Sequence, residues 1–256
     1  WRRGGVTPGE AHAFDKNSAR GRLTSLLLHL LASDSFLNSL ARLSPLAPPG
    51  LAPTRRRKEE EEEEEHEVLV EFLDAVVSDG AFVLQDALGR LADIRAMQAD
   101  MEGKEWAGLP DGVKRDRTSL HGQLEGVAVH FLQLAKANLA LLDLLFASPA
   151  IRASMCGGEL GARFGGFLDL SVKHLCGHKS KTLHLHDPAR YGFDPKELVT
   201  HLCRLIARAS QYPEVTASLR VASAPAVYAR LLRVAGTKLA LDPDTQHHLN
   251  ALLQPL

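Results

Sequence analysis

The segment "RTSLHGQLEGVAVHFLQLAKANLALLDLLF", from Arg117 to Phe146, decides the fold class of this 256-residue chain. Apolar residues recur in it at intervals of three, four or eight, which places them along one side of a helix with 3.6 residues per turn. This apolar stripe consists of Leu120, Leu124, Val127, Phe131, Leu134, Leu142 and Leu145. The pattern therefore predicts one long helix with a broad buried face.

Helical periodicity continues on both sides of that segment. Apolar residues keep the same spacing from Val68 to Met101, and the pair Asp79 and Gly80 predicts a break there between two helices. Further helices are predicted at Leu160–Cys176, Pro195–Ala209, Ala224–Val234 and Pro243–Leu253. Only the short "TLHLH" segment alternates like a strand. We predict an all-α protein whose helices stack as an irregular, armadillo-like solenoid or bundle.

The N-terminal quarter of the chain differs in composition from the rest. We predict that residues 1–21 are disordered and that residues 22–43 form the first helices of the core. Residues 44–65 combine prolines, a basic stretch and seven glutamates from Glu59 to Glu65, a composition that predicts a low-complexity linker. Because glutamate is a good helix former, the end of this run can continue into the next helix. Residues 66–256 are predicted to form the main part of the core.

The charge balance and the cysteines indicate the kind of environment in which the protein works. Lysine plus arginine (30) nearly cancels aspartate plus glutamate (31), which disfavours nucleic acid or an anionic membrane as a partner. No run approaches the roughly 20 apolar residues of a membrane span. The three cysteines lack paired spacing, which favours a reducing compartment, the cytoplasm or the nucleus. The chain starts without Met or an apolar signal core, so we expect it to be part of a longer polypeptide.

Signatures of catalysis and metal binding are sparse. The sequence lacks the phosphate-binding loop, the serine nucleophile elbow and the zinc-protease helix motif. Histidines and cysteines do cluster in the last third, at His174, Cys176, His178, His184, His186, His201 and Cys203. Their Cys-x-His and His-x-His spacings differ from the spacing of structural zinc sites. We therefore predict no catalytic residue, no metal site and no cofactor.

The stretch "HDPARYGFDPKELVTHL", from His186 to Leu202, has the densest local signals in the chain. Asp194 precedes Pro195, and Glu197 follows two residues later, which predicts a capped helix start with Glu197 reaching back to the cap amide. The proline makes Asp194 the natural N-cap because proline suits the first helical position. This part of the stretch therefore fixes where a helix begins.

The first half of the same stretch predicts a rigid turn. Pro188 follows Asp187, and Gly192 can adopt the positive φ that other residues avoid. Tyr191 and Phe193 flank this glycine and offer two large apolar anchors. We predict that the loop is a structural clamp that fixes neighbouring helices.

The clamp segment also resembles a known family. "LHLHDPARYGFDPKELV" is similar to the core of the ubiquitin conjugation factor E4 family, in which Leu-Lys-Val-Lys-Asp-Pro-Glu-Lys-Tyr-Gly-Phe is typical. The matching residues are Asp187, Pro188, Tyr191, Gly192, Phe193, Pro195, Glu197 and Leu198. The upstream segments "ELGARFGGFLDLSVKHLCGHK" and "QLEGVAVHFLQLAKANLALLDLLFAS" resemble preceding helices of that core. The family carries basic residues where His184 and His186 stand, and the 44–65 segment is not a family feature.

This resemblance implies a function. Members are ubiquitin ligases that extend polyubiquitin chains on substrates for proteasomal degradation, and they normally end in a U-box that binds the ubiquitin-conjugating enzyme. The sequence stops before such a domain, so we expect this fragment alone to be inactive. The implied partners are a ubiquitin-conjugating enzyme bound through the U-box, ubiquitinated substrates and an AAA-type unfoldase ATPase, in the cytoplasm and nucleus. The alternative is a non-catalytic helical adaptor without its own U-box.

Overall fold

The structure is a computed structural model that describes the backbone of residues 55–222 and 225–253 and the side chains of residues 66–219 and 225–252. The chain divides between Glu59 and Glu60 into two compact units, and the second unit contains every side chain discussed below. The predictions for residues 1–21, 22–43 and 44–54 lie outside the described residues.

The described residues form α-helices joined by short connections. The helices are α1 (Arg55–Glu102), α2 (Lys104–Ala107), α3 (Asp111–Leu145), α4 (Pro149–Cys156), α5 (Gly158–Cys176), α6 (Pro195–Ala209), α7 (Pro213–Ala222), α8 (Pro225–Lys238) and α9 (Pro243–Leu253). Two 3-10 turns, His178–Leu183 and Pro188–Tyr191, connect α5 to α6. No strand occurs within these residues, and the all-α fold class is confirmed. The armadillo-like arrangement stays a prediction.

Helix α1 is continuous, so the predicted break at Asp79 and Gly80 is wrong. Gly80 instead faces α3, where a Cβ atom in its place would overlap the side-chain amide of Asn138. The Asn138 amide nitrogen also donates a hydrogen bond to the Val76 carbonyl at 3.4 Å. The glycine therefore permits close contact between two helices and does not end one. The helix begins at Arg55, so the segment 55–65 of the predicted linker is helical.

Helix α3 confirms the long helix predicted from Arg117 to Phe146, but its buried face is displaced from the predicted stripe. Leu120 is 50% exposed. The buried residues of α3 are Glu125, Ala128, Phe131, Leu132, Ala135, Asn138, Leu139, Leu141, Leu142 and Leu145. Alanines belong to this face because small side chains allow another helix to approach closely, and a search for large apolar residues overlooks them.

By length and hydropathy alone α3 could also cross a membrane, which the sequence prediction did not anticipate. A core helix passes the same test. Leu132 and Leu139 of α3 are each 1% exposed, and the helix contacts α6 and the second 3-10 turn. We therefore interpret α3 as a core helix of the second unit.

Helix α5 lies at the centre of the C-terminal half, where it contacts α4, α6, α7, α8 and the first 3-10 turn. It packs closely against α7, since a Cβ atom on Gly165 would stand 2.7 Å from the Ser218 Cβ atom. The rings of Phe146 and Phe164 are 5.1 Å apart and fill the space between the end of α3 and α5. Sequence periodicity missed α4 and α7 because both are short, although each begins with a proline at a first helical position.

Candidate functional site

The loop before α6 contains a closed and capped turn. Asp187 accepts a hydrogen bond from the Arg190 amide at 3.3 Å and so caps the second 3-10 turn. Gly192 follows this turn with a φ of 67°, in the left-handed region. The Phe193 amide then donates to the Pro188 carbonyl at 2.9 Å and closes the turn. The predicted positive φ at Gly192 is thus confirmed.

The start of α6 is capped by Asp194. Its carboxylate accepts hydrogen bonds from the amides of Lys196 at 2.8 Å and Glu197 at 3.4 Å, and Pro195 takes the first helical position. The predicted return bond from Glu197 to the cap amide is absent from this described loop. The Glu197 carboxylate instead forms an ion pair with Lys136 of α3 at 2.5 Å. An ion pair with a neighbouring helix competes with a local capping bond, and sequence spacing alone does not reveal that competitor.

We expect Asp194→Ala to lower the free energy of unfolding by about 0.5–2 kcal/mol, because two amide groups lose their acceptor. Asp194→Asn should retain most of the stability, since asparagine also caps helices well. Urea unfolding of the three proteins, followed by circular dichroism, measures both effects. If both variants lost the same free energy of unfolding, Asp194 would not stabilise the protein as a helix cap.

Tyr191 fixes the loop to the two long helices. It is 2% exposed, and its hydroxyl group donates a hydrogen bond to Glu125 of α3 at 2.6 Å. The same hydroxyl oxygen accepts a hydrogen bond from the Gln98 side chain of α1 at 3.3 Å. Arg190 binds the second Glu125 oxygen at 2.7 Å, and His121 lies 3.6 Å from the first. Glu125 is therefore the shared polar partner of Tyr191, Arg190 and His121.

Sequence reasoning missed Glu125. The residue is 9% exposed and lies on the buried face of α3, three residues before Ala128 and seven before Leu132. A carboxylate at such a position requires buried donors, because an unpaired charge away from water is costly. The signal in the sequence was an acidic residue at a position where the helical period predicts burial. The prediction from large apolar residues did not include it.

Burial and the hydrogen bond to Glu125 raise the pKa of Tyr191 from its ordinary value of 10.0 to about 12. The neutral hydroxyl group therefore contributes stability below pH 10 that is lost as the pH rises towards 12. We expect the stability of Tyr191→Phe to fall less steeply over this range than that of the unmodified chain. Urea unfolding of the two proteins at pH 9 to 12 measures this difference. The buried thiols, whose pKa values are also raised, are present in both proteins, so the difference between them reports on Tyr191.

Phe193 fixes the other side of the loop. It is 5% exposed and borders a cavity together with Leu175 of α5, Leu183 of the first 3-10 turn and Val199 of α6. The two aromatic rings of the motif thus serve different neighbours. Tyr191 connects the loop to α1 and α3, whereas Phe193 lies beside the end of α5, the first 3-10 turn and the start of α6.

Two histidines of the last third pair with carboxylates on different helices. The His186 ring lies 2.6 Å from Glu102 of α1, and His201 forms an ion pair with Asp143 of α3. Cys176 and Cys203 are buried free thiols. Among the described residues, no group of three or more histidine, cysteine or acidic side chains could hold a metal ion.

We expect purified protein to contain no stoichiometric zinc and to keep its melting temperature in the presence of a chelator. The reason is that His186 and His201 are directed to carboxylates on different helices. Metal analysis combined with thermal unfolding tests this expectation. One zinc ion per chain and a large loss of stability on chelation would contradict it.

The fold and the anchored loop define an all-α helical core. A sequence model described as "Ubiquitin elongating factor core" matches residues 12–247, and the chain belongs to this family. One relative is the "Probable ubiquitin conjugation factor E4" of Arabidopsis thaliana, 26% identical over 193 residues, which are 75% of this chain and 17% of the relative. Another is "Ubiquitin conjugation factor E4 A" of Rattus norvegicus, which is 23% identical over 198 residues. These residues are 77% of this chain and 17% of the relative.

A third relative is the "E4 ubiquitin-protein ligase UFD2" of Saccharomyces cerevisiae, 24% identical over 151 residues, which are 58% of this chain and 15% of the relative. The resemblance predicted from the segment around Tyr191 is therefore confirmed at the level of the family. The chain spans about one sixth of the length of the relatives it matches.

Proposed function

We propose that this chain is part of the helical scaffold of a ubiquitin chain-elongation factor, a ligase that extends polyubiquitin chains on substrates destined for proteasomal degradation. The observation that supports this proposal is the family match over residues 12–247. The printed names of the relatives agree with it, since one is called a ubiquitin-protein ligase and the others are called conjugation factors.

The proposed mechanism is positioning. In such ligases ubiquitin passes from the thioester of a conjugating enzyme to a lysine, and the ligase accelerates transfer by holding the two groups together. The clamp supports a scaffold of this kind, because Tyr191 ties the loop before α6 to Gln98 of α1 and Glu125 of α3. A scaffold that positions two partners must keep such helices in fixed relation.

Other parts of the full-length protein complete the proposal. A U-box would bind the conjugating enzyme, ubiquitinated substrates would be held by the core, and an AAA-type unfoldase ATPase would be a further partner in the cytoplasm and nucleus. The 256 residues by themselves would then support no ubiquitin transfer.

An elongation assay tests the proposal. The full-length product of the gene is incubated with activating enzyme, a panel of conjugating enzymes, ATP and a substrate that already carries one ubiquitin. We expect long chains with the full-length protein and none with residues 1–256 alone. If the full-length protein binds the substrate but extends no chain with any conjugating enzyme, it is a helical adaptor and the ligase proposal is wrong.

A further inference from the structure

A groove of about 270 Å³ opens beside the anchored loop. Its walls are the end of α5, the first 3-10 turn, the start of α6 and the outer face of α8, and we call it the α5–α8 groove. Its floor is apolar and largely buried, with Leu175 and Leu183 at 8% exposure, Phe193 at 5% and Val199 at 4%. Cys176 belongs to the same floor, and burial raises the pKa of its thiol to about 11, which keeps it uncharged near neutral pH.

The rim of the groove is basic. Lys196 stands at the start of α6, Arg230 and Lys238 belong to α8, and all three are exposed. Among the residues whose side chains the structure describes, His184 is the only other titratable side chain on the rim, and no acidic residue lines the groove. The chain as a whole has a net charge of −1, so this concentration of positive charge is a local feature.

The two carboxylates closest in sequence to Lys196 have other partners. The Asp194 carboxylate accepts hydrogen bonds from the backbone amides of Lys196 and Glu197 at the start of α6. Glu197 forms an ion pair with Lys136 on α3. Within the part of the chain that the structure describes, Lys196, Arg230 and Lys238 form no ion pair. Arg230 donates only a long hydrogen bond to the Gly177 carbonyl, at 3.4 Å.

We propose that the α5–α8 groove binds an acidic peptide segment of a partner protein. An apolar side chain of the segment would occupy the floor, and its carboxylates would pair with Lys196, Arg230 and Lys238. Burial of the apolar side chain on the floor would supply affinity. Pairing of the segment's carboxylates with the basic rim would make the groove selective for acidic segments.

The acidic run of the same molecule is badly placed to fill the groove. His66, which follows the run, borders a different cleft together with Gly157 and Gly158 at the start of α5. The α5–α8 groove lies at the opposite end of this 19-residue helix, and such a helix is about 28 Å long. The run from Glu59 to Glu65 is therefore not the proposed occupant, which we assign to a partner protein.

Fluorescence anisotropy with the 256-residue chain tests the inference. The probe is a labelled twelve-residue peptide in which a leucine and a phenylalanine are flanked by glutamates. Two comparison peptides replace either the apolar residues by glutamates or the glutamates by lysines. We expect the probe to bind, the binding to weaken with added salt, and both comparison peptides to bind at least about tenfold more weakly.

Two variants locate the site. Lys196→Glu combined with Lys238→Glu should weaken probe binding at least about tenfold, because attraction becomes repulsion at two exposed positions. Arg233→Glu is the matched control, since Arg233 is exposed on the same helix α8 but does not line the groove. It should change binding less than about twofold, and circular dichroism melting confirms that all proteins are folded.

Three results would overturn the proposal. One is equal binding of the oligoglutamate peptide, which would mean that the apolar floor contributes nothing. Another is an equal loss of binding in Arg233→Glu, which would indicate general attraction between charges. The third is a single-stranded oligonucleotide that binds through Lys196 and Lys238 when the peptide does not. None of these results depends on ligase activity, so the inference and the proposed function can fail separately.

Discussion

Phe193→Ala should lower the free energy of unfolding by about 3–5 kcal/mol, the usual cost of truncating a buried aromatic side chain. Phe193 is 5% exposed and borders Leu175, Leu183 and Val199, so its removal leaves a cavity at the junction of α5 and α6. In the full-length protein we expect a loss of chain elongation that follows the loss of folded protein. Denaturant unfolding of this chain and elongation assays on the full-length protein provide the two measurements.

Phe82→Ala is the matched control for this prediction. Phe82 is 59% exposed on α1, so the same change of side chain should alter the free energy of unfolding by no more than about 0.5 kcal/mol. If Phe193→Ala abolished elongation and left the unfolding midpoint unchanged, the clamp interpretation would fail. The loop around Gly192 would then have to be a binding site for a partner.

Glu125→Ala should lower the free energy of unfolding by about 2–3 kcal/mol, because a buried hydroxyl group and an arginine lose their common acceptor. The Tyr191 hydroxyl group donates to Glu125 at 2.6 Å and is buried with its ring, so water cannot replace the carboxylate without opening the loop. Arg190 is 62% exposed and is rehydrated easily, so most of the loss comes from Tyr191. Urea unfolding at neutral pH measures this loss.

Two comparisons make the Glu125 prediction specific. Asp116→Ala removes an exposed acid from the same helix and should change the free energy of unfolding by less than about 0.5 kcal/mol. Tyr191→Phe should cost much less in the Glu125→Ala background than in the unmodified chain, because the bond is already lost. Strictly additive losses would contradict a direct bond between the two residues.

Local signals in the sequence predicted local structure well. The helix start at Asp194 and Pro195 and the positive φ of Gly192 depend on neighbours within a few residues, and all are present in the structure. The same reasoning failed at Gly80, because the need for a glycine there comes from Asn138 on another helix. Periodicity identified α3 but not which side of it is buried, since that depends on the helices that cover it.

In the candidate sites, too, local features were predicted and contacts between distant segments were not. The motif around Tyr191 was found from its sequence, whereas its partners Gln98 and Glu125 come from helices 93 and 66 residues away. The basic rim of the α5–α8 groove was not predicted at all, because Lys196 and Lys238 come to line one groove only after folding. Sites assembled from distant segments leave no spacing pattern that a single sequence reveals.

The contacts of Tyr191 bear on how the second unit unfolds. In a solenoid whose repeats contact only their neighbours, the ends can unravel while the middle stays folded. Here the loop before α6 is bonded to Gln98 and Glu125 and also packs through Phe193 beside α5, so early and late helices share one set of contacts. Loss of the Tyr191 bonds would remove one link between α1 and α3, which also meet directly where Gly80 faces Asn138. The unit should therefore lose its structure cooperatively, in one transition, and present few partly unfolded forms to a protease.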